Sequence, residues 1–153
     1  AMKFEGEAIV RPMVGGRYLN EIYKADMKPF GDFEGLGMIA FDRVKKQFKS
    51  SWCDSMGTGI MISHGKLSDD GKSIEMKSEE IDDPTTGTTM TFRSVNAIGD
   101  GKTRKMTMYA TPKGGDEYKM MEVVYTKIPR GKGGGKKAAG KAGSKAENTE
   151  KAE

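Results

Sequence analysis

Hydrophobic and polar residues alternate along residues 3–128, in short runs that are separated by turn-forming residues. Alternation with a period of two is typical of β-strands that bury one face. The separators are rich in Gly, Pro and Asp, which favour tight turns, and no stretch shows three helical turns with a continuous apolar stripe. The pattern predicts nine strands, over residues 3–11, 17–27, 33–42, 47–56, 59–68, 73–81, 88–98, 103–112 and 117–128.

The predicted strands follow one another at short, regular intervals, with tight turns between them. This arrangement favours an all-β antiparallel meander that closes, or nearly closes, into a barrel. A two-layer β-sandwich is the alternative that the same strand pattern leaves open.

Residues 129–153 differ in composition from the rest of the chain: they are rich in Lys, Ala and Gly and lack Val, Leu, Ile, Met and aromatic residues. Such a segment cannot bury enough apolar area to offset the entropy lost on ordering. We therefore expect one folded domain over 1–128 and a disordered tail over 129–153.

The formal net charge of +4 resides entirely in this tail, and residues 1–128 are neutral. Contact with nucleic acid, if it occurs, is expected to be weak, salt-sensitive and confined to the tail; a solvated tail without a partner is the alternative. The sequence contains no apolar run long enough to span a membrane and no signal-peptide pattern. These features favour the cytoplasm and leave the periplasm open if a leader has been removed.

Strand alternation assigns side chains to faces. In the fourth predicted strand, the aromatic side chains of Phe48 and Trp52 share a face with Asp54. The other residues predicted on the inner face are Ser50, Met56, Ile60, Ile62, His64, Ile74, Met76, Met90, Phe92, Met106, Met108, Tyr118, Met120, Glu122 and Val124. Asp54, His64 and Glu122 are thus polar or charged groups expected inside the barrel. A buried carboxylate needs a partner, and Arg93 is the one expected for Glu122. Asp54 is expected either to lie at the rim or to pair with Arg17, Arg93 or a Lys side chain.

The segment 50–65 holds the only Trp, Cys and His of the chain. A catalytic interpretation makes Cys53 a nucleophile and His64 its base. However, Cys53 is out of phase with Trp52 and is expected to point away from the face of His64. A strand, a turn through Gly57 and Gly59, and a second strand explain the segment without catalysis. One Cys and one His also argue against a disulfide and a zinc site, so we predict no metal and no cofactor; haem ligation through His64 is a weaker alternative.

Six short stretches resemble a known family when they are taken in order. These are "GGRYL" (15–19), "FEGLGMIAFD" (33–42), "WCDSMGTG" (52–59), "DDGK" (69–72), "DDPTTG" (82–87) and "MMEVVYTK" (120–127). The chain resembles domain of unknown function family 1579, a group of small, mainly bacterial proteins, over residues 8–128. The resemblance implies a lipocalin-like β-barrel without an assigned activity. Family members usually carry an earlier Gly-x-Trp-x-Gly strand, so the resemblance also implies a missing first strand and an open sheet edge.

The leading functional hypothesis is a non-enzymatic protein that holds a small apolar or amphipathic molecule in the barrel. Methionine adapts to varied apolar ligands, and the chain contains twelve. The expected wall residues are Trp52, Phe92, Met106, Met108 and Met120, and the expected polar contacts are Asp54, His64, Arg93 and Glu122. The alternative is an interaction module that uses an exposed sheet edge and the basic tail to bind an acidic partner or nucleic acid. A hydrolase or isomerase that uses Asp54 and Glu122 ranks third, and no catalytic residue is assigned.

Overall fold

The computed structural model describes residues 4–83 and 86–128, together with the backbone of 142–144. These residues form strands, turns and loops without a helix, so the described chain has no helix that could span a membrane. The strands are β1 (Gly6–Met13), β2 (Tyr18–Asp26), β3 (Asp32–Asp42), β4 (Gln47–Asp54), β5 (Met61–Leu67), β6 (Ser73–Ser78), β7 (Ile81–Asp82), β8 (Thr89–Ala97), β9 (Thr103–Pro112), β10 (Tyr118–Thr126) and β11 (Ala142–Ser144).

All strands belong to one sheet, in the order β10-β9-β8-β6-β5-β4-β3-β2-β1-β11, with the short β7 beside β8. Every pairing is antiparallel, which confirms the predicted meander. The nine predicted strands correspond to β1 to β6 and β8 to β10. Turn glycines at positions 71, 101 and 114 have positive φ angles, a conformation that costs other residues energy.

The predicted disordered tail, residues 129–153, lies outside the described residues except for the backbone of β11. This three-residue strand pairs antiparallel with β1, where Ala8 is opposite Ala142. The outer edge of β1, which the missing first strand was expected to leave open, carries β11 at these positions.

The sheet curls into a half-barrel, which is the partly open form of the predicted architecture. Glu21 on β2 contacts Arg104 on β9 and Tyr125 on β10. Five strands lie between β2 and β9 in the sheet order, so these contacts cross the interior and not the sheet. The face that carries Glu21 is therefore the concave one.

The core on the concave side is only partly filled. The buried apolar residues among those described are Phe4, Ala8, Ala25, Met76, Met90, Ala110 and Val123. Large aromatic side chains on the same side, such as Trp52 and Phe92, are only part-buried. The half-barrel thus leaves part of its apolar inner surface open to a ligand or to solvent.

Candidate functional site on the concave face

The pairing register decides which predicted site residues face the interior, because directly opposite residues project from the same face. Trp52 is opposite Gly37, which is opposite Glu21, so Trp52 and Asp54 lie on the concave face. The register continues from Trp52 to Met61, and from Gly65 through Met76 and Ser94 to Met108. Phe92 and Met106 share this phase. The inward placement of Trp52, Asp54, Phe92, Met106 and Met108 is therefore confirmed.

The inward placement of His64 is wrong. His64 is opposite Lys49 and Lys77, and the neighbouring Ser63 takes the concave position. On the convex face, Nδ1 of His64 lies 3.5 Å from Nε2 of Gln47, and Nε2 lies 3.2 Å from Oε1 of Glu79. Ile60, Ile62 and His64 do alternate together, but the loop between β4 and β5 sets their phase relative to Trp52.

Cys53 also lies on the convex face, opposite Leu36, so the expectation that it points away from the face of His64 is wrong. The pairing partner of His64 is Lys49, four residues from Cys53 along β4. This offset corresponds to about 13 Å at roughly 3.3 Å per residue. The Cys53 thiol is 3.9 Å from the carbonyl oxygen of Leu36. The two residues are thus too far apart in register for a nucleophile–base pair.

Arg93 projects from the convex face as well, opposite Lys77 and Tyr109, which overturns its expected pairing with Asp54 or Glu122. Its Nε and Nη2 donate to the two carboxylate oxygens of Glu117 at 2.9 and 2.7 Å. Its guanidinium carbon lies 4.2 Å from the ring centroid of Tyr109. Since Phe92 faces inward, Arg93 must face outward, because adjacent strand residues point to opposite sides.

Tyr118 takes its predicted inward position, opposite Ala110, but a β-bulge between Lys119 and Met121 overturns the predicted face of the rest of β10. Met120 is the extra residue, so it lacks a direct partner, and Met121 takes the concave position opposite Met108. Beyond the bulge Val123 and Tyr125 are concave, whereas Glu122 and Val124 are convex.

The Glu122 carboxylate binds the ammonium groups of Lys119 at 2.7 Å and Lys105 at 2.9 Å. Hydrogen bonds from these two lysines lower the pKa of the Glu122 carboxyl group. Asp54 and Glu122 lie on opposite faces, so they do not form the acid pair that a hydrolase or isomerase would need.

Asp54 finds its partner within its own strand. Nε1 of Trp52 donates to Oδ2 of Asp54 at 2.8 Å, and the backbone N–H of Met56 donates to Oδ1 at 3.0 Å. These two hydrogen bonds satisfy the carboxylate without a cation.

A cavity of about 360 Å³ opens at one end of the concave face, between β1 and the strand ends around the β8–β9 turn. Its lining is mainly apolar; Val10, Ile74 and Ile98 are its largest apolar residues. The other lining residues are Ala8, Asn96, Ala97, Gly99, Gly101, Lys102, Thr103, Arg104, Tyr125, Thr126 and Lys127. None of the predicted site residues lines this cavity; Met106 comes nearest in the sheet, directly opposite Asn96.

A polar cluster that the sequence analysis missed crosses the interior beside the cavity. Nη2 of Arg104 donates to Oε2 of Glu21 at 2.7 Å, and the hydroxyl of Tyr125 donates to Oε1 at 3.2 Å. The guanidinium carbon of Arg104 lies 3.9 Å from the centroid of the Tyr125 ring. Glu21 is in phase with Tyr23, and Arg104 with Met106, so alternation alone would have placed both inside.

Burial is the main cause of the raised pKa values of two tyrosines in this region, Tyr23 and Tyr125. Desolvation, together with the charge of Glu21, raises the pKa of Tyr23 to about 12. Desolvation also raises the pKa of Tyr125, with a further contribution from Glu21. For Arg104, desolvation would lower the pKa, but attraction to Glu21 and the hydrogen bond to it outweigh that effect and raise the pKa. At neutral pH both phenols are therefore neutral and the Arg104 guanidinium is charged.

Comparison with known proteins identifies the family of this chain. A family model described as "Protein of unknown function (DUF1579)" matches residues 1–127. The chain belongs to the DUF1579 family. No curated protein and no solved structure matches it.

Membership in DUF1579 assigns no reaction, so the chemistry must be read from the site itself. Among the described residues, no group of three or more His, Cys, Asp and Glu side chains is arranged to hold a metal ion. For this DUF1579 protein, the apolar cavity and the neighbouring Glu21–Arg104–Tyr125 cluster together form the candidate functional site.

Proposed function

We propose that this protein is a non-enzymatic binding protein that holds one small amphipathic molecule on the concave face of the half-barrel. The observation that carries the proposal is the mainly apolar cavity of about 360 Å³ next to a polar cluster. Ligand pockets have volumes of roughly 300–1,000 Å³, with apolar walls and few polar groups.

The two parts of the site have separate roles in this proposal. Val10, Ile74 and Ile98 supply apolar surface for the hydrocarbon part of the ligand. The concave methionines Met106 and Met108 extend this surface toward the centre of the sheet. Met side chains adapt to different ligand shapes, so the apolar part is expected to be recognised loosely.

The test measures binding of decanol, a neutral amphiphile, to the wild-type protein by calorimetry and by thermal unfolding. A ligand that binds only the folded state raises the melting temperature, so decanol is expected to do so in a concentration-dependent manner. Val10→Phe fills the cavity and is expected to weaken decanol binding by about tenfold or more.

Ile9→Phe is the matched control, because Ile9 is adjacent to Val10 on β1 and projects from the opposite face. It is expected to leave decanol affinity unchanged. If decanol neither binds nor stabilises the wild-type protein, the proposal fails. If decanol binds Val10→Phe and Ile9→Phe with the same affinity as the wild type, the cavity is not the binding site. The sheet-edge interaction module would then be the better hypothesis.

A further inference from the structure

We infer that the ligand of this cavity carries a negatively charged head group, which binds between Lys102 and Lys127 at the cavity rim. The inference rests on the proposed function and specifies its ligand class: a single-chain amphiphile with an anionic end. It follows from the charged residues of the cavity lining, Lys102, Arg104 and Lys127, which are all cationic.

The two rim lysines, Lys102 and Lys127, are neighbours at the ends of β9 and β10. The backbone N–H of Lys127 donates to the carbonyl oxygen of Lys102 at 2.8 Å. Both residues are exposed and both line the cavity. The paired backbones start the two side chains side by side, and like charges that approach each other repel unless an anion lies between them.

Neither rim lysine has an anionic partner within the described part of the chain. Other cations on the sheet do form ion pairs; Lys105, for example, binds Glu122 at 2.9 Å. No carboxylate lies within 4.0 Å of the ammonium group of Lys102 or Lys127 among the described residues. Asp100, in the same turn, accepts from the backbone N–H groups of Lys102 and Thr103 at 2.8 and 2.9 Å and forms no ion pair with either rim lysine. The rim lysines therefore place two ammonium groups without an ion pair beside an apolar wall.

Arg104 is the other cation in the cavity lining, but its charge is already compensated. It binds Glu21 at 2.7 Å and stacks on Tyr125. An anionic head group that bound Arg104 would displace Glu21. The Glu21 carboxylate would then remain part-buried without a cation, which costs free energy. The lysines are free to move toward a ligand, so they are the better anion contacts.

The experiment compares three probes that share a chain length: decanoate, decanol and decyltrimethylammonium. At neutral pH and low salt, we expect the wild-type protein to bind decanoate about tenfold more tightly than decanol, because ionised head groups make the stronger hydrogen bonds. Decyltrimethylammonium is expected to bind more weakly than decanol. Raising the salt from about 20 to about 200 mM should weaken decanoate binding and leave decanol binding nearly unchanged.

The double variant Lys102→Gln/Lys127→Gln is expected to bind decanoate and decanol with equal affinity. The control variant Lys45→Gln/Lys66→Gln removes the same charge at exposed positions that do not line the cavity. It is expected to keep the preference of the wild-type protein for decanoate. Melting temperatures of the ligand-free variants establish that each one is folded.

The outcomes separate this inference from the proposed function. Equal affinity of the wild-type protein for decanol and decanoate overturns the charged head group but leaves the binding function intact. If neither decanol nor decanoate binds the wild-type protein, both this inference and the proposed function are wrong. Inorganic phosphate serves as an anion without a hydrocarbon chain. If phosphate competes with decanoate at similar concentrations, the rim is a simple anion site and the inference that the ligand is an amphiphile is wrong.

Discussion

The six-membered ring of Trp52 occupies the space in which Gly35 would carry a Cβ atom. A Cβ at Gly37 would lie 2.8 Å from Cε3 of Trp52, so the same indole covers both glycines. Gly37 is directly opposite Trp52 on the neighbouring strand. The half-barrel thus accommodates its only tryptophan by omitting side chains from β3, and Asp54 fixes the indole through Nε1.

Gly35→Ala is expected to destabilise the protein by about 1–3 kcal/mol, because the new methyl group displaces the indole from its place on β3. Chemical denaturation followed by Trp52 fluorescence measures this change. In a strand without such an overlap, replacing Gly by Ala would be neutral or favourable.

Gly115→Ala is the control, since a Cβ at Gly115 would lie 3.4 Å from the nearest atom of Pro112, an ordinary contact. Its free energy of unfolding should stay within about 0.5 kcal/mol of the wild type. A Gly35→Ala variant as stable as this control would contradict the packing of Trp52 on β3.

The convex position of Arg93 gives a second prediction. Arg93→Met is expected to leave decanol and decanoate affinities within about twofold of the wild type, since Arg93 projects from the convex face and does not line the cavity. Its stability should fall by less than about 1 kcal/mol, because the Glu117 pair is partly exposed. A large loss of affinity would return Arg93 to the binding site and contradict the register of β8.

Local patterns were sufficient to predict the nine longer strands of this protein but not the short β7 and β11. Alternation and turn residues identified nine strands, because both depend on neighbouring positions. Glycine inside a strand often marks a close approach of another group, and in β3 the Trp52 side chain packs on Gly35 and Gly37.

The faces of individual strands were not predictable to the same degree, because each turn resets the phase. The loop between β4 and β5 placed Ser63 inside and His64 outside, and alternation within β5 is equally compatible with both choices. A single extra residue, Met120, moved Glu122 to the convex face. A one-residue shift exchanges every side chain between the two faces of a strand.

The Glu21–Arg104 pair was missed for a different reason, since it depends on the curl of the sheet. These two residues are 83 positions apart in the sequence, and five strands separate their own strands in the sheet. Nothing local indicates that they meet. A charged residue in phase with apolar neighbours was the only available signal.

Glu21→Gln is expected to destabilise the fold by about 1–2 kcal/mol, because it removes the anion that Arg104 and Tyr125 share. The estimate is modest because 43% of the Arg104 side chain is exposed. A double-mutant cycle of Glu21→Gln with Arg104→Met should give a coupling free energy clearly above zero.

Glu34→Gln is the matched control, since Glu34 binds Lys24 at 3.0 Å in a pair whose side chains are 61% and 64% exposed. Exposed pairs contribute little, so this variant should lose less than about 0.5 kcal/mol. Equal losses in both variants would show that the Glu21 cluster does not hold β2 against β9 and β10.

Alkaline pH should reveal the burial of Tyr23. The pKa of Tyr23 is raised from 10.0 to about 12 in the folded protein by desolvation and by the charge of Glu21. The folded state therefore holds the phenolic proton more tightly than the unfolded state, and this contribution to stability is complete below about pH 10. It is lost as the pH rises toward the folded-state pKa. Tyr23→Phe has no phenol to ionise, so its stability should fall less steeply across this interval.

The measurement compares free energies of unfolding at about pH 9 and about pH 11.5 for the wild type and the variant. The loss in Tyr23→Phe should be smaller by on the order of 2 kcal/mol, since one pKa unit corresponds to about 1.4 kcal/mol. Tyr18→Phe, at an exposed position of the same strand, removes a phenol that is not buried and should show the wild-type loss. If Tyr23→Phe and Tyr18→Phe lose the same stability, burial does not hold the proton on Tyr23.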